Sequence, residues 1–161
     1  MANYRELLQR VKAEIDEIDA QTARELLDTA EPPLLVDVRR RDEWDEGHIP
    51  GALHIPRGWL ESRIEQAVPD RGRQIVAYCA AGNRSAFAAK TLEELGYADV
   101  VSLAGGINDW KRHGYPLEVS AEALDPEQRR RCSGESERGS RVGKPFRFQS
   151  VKPPASETTF S

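Results

Sequence analysis

The sequence predicts an α/β fold of three layers: a central, mostly parallel sheet flanked by helices, with an amphipathic helix added at the N-terminus. Short continuous apolar runs, "LLVDV" (34–38), "QIVAY" (74–78) and "VVSL" (100–103), are bounded by charges and turn residues, as strands covered on both faces require. Stretches of about ten residues with helical apolar spacing lie between them, and strand-helix alternation of this kind favours parallel pairing. Glycines close those stretches, at Gly47 and Gly96.

Taken in order, Tyr4, Leu7, Leu8, Val11, Ile15 and Ile18 follow the i, i+3, i+4, i+7 rhythm, which predicts a covering helix over residues 1–19. Thr22 with Glu25 three positions later forms a capping-box pattern that opens a short helix through Leu26 and Leu27, and "EPP" stops it. After the first apolar run Asp42 caps a short turn. Arg57 to Val68 carries Leu60, Ile64 and Ala67 at helical spacing, and Ser85 to Leu95 forms the helix after the second run. A last turn holds Ile107 and Trp110. From residue 119 to 161 the chain is rich in Arg, Ser, Gly and Pro without sustained apolar period, which predicts a polar, disordered tail.

With 161 residues the chain has room for one domain, here expected over residues 20–118. An apolar fraction of 39%, 31% charged residues and a net charge of -4 describe a globular protein and argue against nucleic acid as a partner. The N-terminal segment alternates charged and apolar residues, so neither a signal peptide nor a membrane span is expected. Two cysteines, Cys79 and Cys132, make no disulfide framework and no zinc pattern; a reducing, cytoplasmic setting fits.

The chemistry concentrates in "CAAGNRS", residues 79–85, where a strand gives way to a helix. In parallel sheets ligands sit beyond the carboxyl ends of strands, which is where Cys79 falls. A thiol just before a helix feels the helix's positive end and its unpaired amides, which favour the thiolate. If residues 79–84 curl into a loop, Gly82 permits backbone angles that turn successive N–H groups toward the sulfur, and Arg84 adds a positive charge. On the residues alone two readings stand: Cys79 as a nucleophile in an anion cradle, and Cys79 as a small buried hydrophobe at a strand end.

Two long motifs then carry a resemblance over approximately residues 20–118. "LLVDVRRRDEWDEGHIPGALHIP" and "IVAYCAAGNRSAFAAKTLEELGYADVVSLAGGINDWKRHGYPL" resemble, in order and spacing, the two signatures of single-domain rhodanese-like sulfurtransferases. The resemblance implies a rhodanese-like three-layer domain in which Cys79 takes a sulfane sulfur from a donor and carries it as a persulfide. Ala80, Ala81, Gly82, Asn83 and Arg84 would bind that sulfur, and no metal or organic cofactor is implied. The implied donor is thiosulfate or a protein persulfide, and the implied acceptor is thiophilic. Related phosphatases place one more residue between Cys and Arg, so phosphatase and arsenate reductase chemistry rank below sulfur transfer. A catalytically idle module that binds a partner or senses oxidants is the alternative from another class. Many thiosulfate-using members carry a basic residue after the cysteine; Ala80 stands there in this chain.

Other residues receive plainer readings. Asp37 ends the first strand on the sheet edge that bears Cys79, either lining the pocket or bracing loops through backbone amides. Arg39 and Glu43 are surface or pairing residues of the turn, His48 belongs to a structural turn, and Arg57 starts a helix near the pocket mouth. Trp44, Trp59 and Trp110 read as packing. "ALDPEQRRRCS" (123–133) weakly resembles the start of adenylating domains that activate sulfur carriers, which makes a sulfur-carrier protein or its adenylating enzyme a candidate partner beside the small-molecule donor.

Overall fold

The computed structural model describes residues 1–120. Along it run α1 (Tyr4–Glu14), β1 (Asp16–Ile18), α2 (Ala20–Leu27), β2 (Leu34–Asp37), α3 (Arg41–Glu46), β3 (Leu53–His54), a 3-10 turn (Arg57–Trp59), α4 (Leu60–Ala67), β4 (Ile75–Tyr78), α5 (Asn83–Glu94), β5 (Val100–Leu103) and α6 (Gly106–Arg112). The five strands form one sheet in the order β1-β5-β4-β2-β3, every pair parallel.

Strand alternation divides the core in two. Val36, Ile75, Ala77 and Val100 face α1, α4 and α5, where Val11, Leu60, Ile64, Ala88 and Leu92 cover them. Leu35, Val76, Tyr78 and Leu103 point the other way, onto Ala20, Ala23, Ile107 and Trp110 of α2 and α6. Both faces of the three predicted strands are therefore covered, which is why their sequences read as unbroken apolar runs. Cys79 keeps the parity of Ile75 and Ala77 and belongs to the α5 side.

Three local expectations are corrected. The N-terminal helix ends at Glu14 and does not reach residue 19: Ile15 is extended (φ -112°, ψ 165°), and Asp16–Ile18 pair with Val101–Leu103. Ile15 and Ile18 fit a helical rhythm, but β5 would otherwise be an open edge, and pairing its backbone outweighs that rhythm. The cap of α2 is Asp19, whose carboxylate accepts from the Thr22 amide at 2.7 Å, and Thr22 lies inside the helix. The two-residue strand β3 has too little sequence to announce itself; it exists because Leu53 and His54 add to β2. The expected tail, with Cys132 and the 123–133 motif, lies outside the described residues except for its first two positions.

The carboxyl ends of β2, β4 and β5 open onto the loops that begin at Val38, Cys79 and Ala104. Two hollows of about 380 and 610 Å³ sit at the opposite end of the sheet, beside Leu34 and Gln74, and include no residue of the Cys79 loop.

Candidate active site

The loop from Cys79 to Gly82 links β4 to α5. Gly82 caps α5 in the left-handed conformation (φ 95°), and a side chain there would press at 3.2 Å on the backbone of Leu103 and Gly105. This turn brings the Gly82 amide to 3.1 Å from the Cys79 sulfur. Ser85, in the first turn of α5, places its hydroxyl 3.5 Å from the same sulfur, and Ser102 of β5 stands 2.8 Å behind it. When the sulfur is a thiolate, Ser85 donates to it and Ser102 donates to Ser85.

The outer side of the loop is fastened by α6. The Cys79 and Ala80 carbonyls accept from the Ile107 and Asn108 amides at 2.9 and 3.1 Å, which engages them with α6 while the Ala81 and Gly82 amides turn to the sulfur. Gly106 makes this approach feasible, since a Cβ there would overlap the Cys79 and Ala80 carbonyl oxygens. The "LAGG" stretch is thus a fitted backing for the loop.

Cys79 is 1% exposed, as a small buried hydrophobe would be, yet amides are turned toward it. Burial pushes the thiol up; the Ser85 hydroxyl together with the Ser85, Gly82 and Ala81 amides outweighs it and holds the group below the ordinary thiol range. An isolated buried hydrophobe has no such donors.

Arg84 departs from the simple picture of a cation closing a ring on the sulfur. Its Nη1 and Nη2 donate to both oxygens of Glu43 at 2.8 and 2.9 Å, and its side chain remains 39% exposed. Its positive charge acts on Cys79 at range, while the fork is occupied by a carboxylate from α3. The Arg84 guanidinium in turn holds Glu43 down to about 2.

Asp37 is fully buried. It accepts from the Arg39 amide at 2.9 Å and from the Arg39 guanidinium at 2.8 to 3.1 Å, and that guanidinium also donates to the Gly47 carbonyl at 2.7 Å. The pair ties β2 to the end of α3. His48 lies flat on Trp44, ring centres 3.4 Å apart, and exchanges backbone hydrogen bonds with Glu118; His54 stacks on Trp44 as well. Arg57 is engaged by Glu61 and Thr91. None of these residues donates to the sulfur.

Two hydroxyls of the site, Ser85 and Ser102, lie outside the residues that the sequence motif assigns to the sulfur. A hydroxyl in the first turn after the loop was a signal for Ser85; Ser102 sits 17 positions further on and had none. Among the described residues no group of three His, Cys, Asp or Glu is placed to hold a metal, and no helix is long and apolar enough to cross a membrane.

A model of the rhodanese-like domain matches residues 19–113. A sulfurtransferase of Allochromatium vinosum is 39% identical over 103 residues, which are 64% of this chain and 94% of that protein. A probable adenylyltransferase/sulfurtransferase of Mycobacterium tuberculosis, MoeZ, is 37% identical over 99 residues, 62% of this chain but only 25% of its own length. The polysulfide-sulfur transferase homodimer of Wolinella succinogenes superimposes with a TM-score of 0.64 at 28% identity, covering 73% of this chain and 88% of that one.

Proposed function

The chain belongs to the rhodanese-like domain family, and from that premise we propose that it is a sulfurtransferase that carries sulfane sulfur as a persulfide on Cys79. The observation that supports this reading best is the set of donors converging on one sulfur: the Gly82 amide at 3.1 Å and the Ser85 hydroxyl at 3.5 Å, with the Ala81 and Ser85 amides beside them.

In the first half-reaction the Cys79 thiolate attacks the outer sulfur of the donor. With thiosulfate the sulfur-sulfur bond breaks and sulfite leaves with the bonding pair; with a protein persulfide the leaving group is that protein's thiolate. The new persulfide anion rests against the amides of Ala80 to Arg84, which act as an oxyanion hole does for oxygen. A thiophilic acceptor such as cyanide then takes the outer sulfur and returns the thiolate. Buried donors replace a histidine base, because a sulfur that is already ionised needs no proton removed.

The relative from Mycobacterium tuberculosis, named for joint adenylyltransferase and sulfurtransferase activities, supports a sulfur-carrier protein or its adenylating enzyme as a partner. A second reading, an idle module that binds a partner or senses oxidants, draws on the 1% exposure of Cys79. Intact-mass measurement after incubation with thiosulfate or a persulfide donor separates the two. A gain of one sulfur, lost in Cys79→Ser and returned on adding cyanide, is the expected result; an unmodified mass with every donor leaves the idle module standing.

A further inference from the structure

We infer that Glu43 is a specificity-determining residue: by gripping Arg84 it keeps the mouth of the Cys79 loop electrically neutral and selects singly charged sulfur donors over doubly charged thiosulfate. This rests on the sulfur-transfer reading and adds to it the charge class of the donor, a persulfide or thiosulfonate anion.

Arg84 is the cation of the loop itself, and both of its terminal nitrogens are spent on Glu43. Glu43 is in turn fixed in place. Its side chain is 20% exposed, its Oε2 accepts from the Arg40 amide at 3.0 Å, and the Arg40 Nε lies 3.6 Å away. Arg40 also reaches Asp42 at 3.1 Å. The cluster of Arg84, Arg40, Glu43 and Asp42 therefore sums to zero formal charge, and Ala80 adds none. The other charges near Arg84 do not change this: Asp37 is matched by Arg39.

A donor approaching the thiolate brings its own negative charge toward another. Thiosulfate brings two, and among the described residues the cluster around Arg84 has no net charge to offset the second, because taking Arg84 would mean breaking a two-point ion pair and exposing Glu43 to the same anion. A thiosulfonate presents the same sulfane sulfur on one charge and leaves as a sulfinate with the bonding pair. A persulfide anion likewise carries one charge and leaves as a thiolate. The loop amides are donors enough for one charge. Selectivity here comes from withholding a cation, which penalises the wrong donor more than it rewards the right one.

The test compares thiosulfate with methanethiosulfonate as donors, reading the rate of persulfide formation on Cys79 by intact mass across donor concentrations. In Glu43→Gln, which keeps the shape and an acceptor for Arg84, the KM for thiosulfate falls about three- to fivefold while that for methanethiosulfonate changes less than about twofold. Added salt erodes the gain. Asp42→Asn, an exposed change that leaves the Arg84 contact intact, moves the ratio of the two KM values the same way by a smaller factor, and decides the matter if Glu43→Gln is found unfolded by circular dichroism. Equal changes for both donors, or no change, overturn the role of Glu43 while leaving sulfur transfer in place. Failure of both donors to load the unaltered protein overturns the sulfur-transfer reading itself.

Discussion

Cys79 shows how a single side chain can be deeply buried and still be built to carry charge. Desolvation opposes the thiolate, and hydrogen bonds from hydroxyl and amide donors reverse the balance. Ser85 is the first side-chain donor, so its removal exposes the desolvation that it offsets. In Ser85→Ala the pH profile of Cys79 alkylation by iodoacetamide moves to higher pH, and persulfide loading at neutral pH slows about tenfold, the scale of one hydrogen bond to a charged group. An unshifted profile would mean that the hydroxyl gives nothing to the sulfur. At this scale the sequence was informative where a donor is close in the chain: the Gly82 amide could be placed because a turn of a few residues must contain it, whereas the Arg84 guanidinium turns to Glu43 instead of the sulfur. It was uninformative about Arg39, which reads as a surface charge until Asp37 and the Gly47 carbonyl are seen around it.

The loop holds its shape because α6 is pressed against it. Gly106 is the contact point, with a positive φ of 56° and no room for a Cβ beside the Cys79 and Ala80 carbonyls. Gly106→Ala is expected to lower stability by about 2 kcal/mol or more, from overlap as well as backbone strain, and to abolish persulfide loading. Gly114→Ala is the matching control: its φ is 69° but nothing lies within 4 Å, so it loses only about 1 kcal/mol of strain energy in a denaturant titration and keeps loading. Equal losses for the two variants would remove the steric explanation. Elements with local punctuation, such as α5 and the strands β2, β4 and β5, were legible in advance. β1 and β3 were not, since a short strand is made by the neighbour that pairs with it.

Across the whole molecule, the Arg84–Glu43 pair joins α3 to α5 over 41 residues and makes the fold sensitive to acid. Glu43 has its affinity for protons depressed from 4.5 to about 2, so the unfolded chain binds that proton first. The stabilisation is complete above the unfolded value of 4.5 and disappears as the pH falls toward about 2. Urea midpoints should therefore drop through that window, and Glu43→Gln should flatten this part of the curve; identical curves would show the pair to be energetically idle. The sequence by itself determined the parallel α/β layers, the place of Cys79 at a strand end and the family, because apolar period, turn chemistry and short motifs are properties of neighbouring residues. Only the tertiary structure decided that Ser102 stands behind Ser85, that Asp37 is tied up by Arg39, and that the cation of the loop is already claimed by Glu43. Those choices depend on which groups the packed layers bring within about 3 Å, and a hydrogen bond has no reach beyond that distance along which a sequence pattern could betray it.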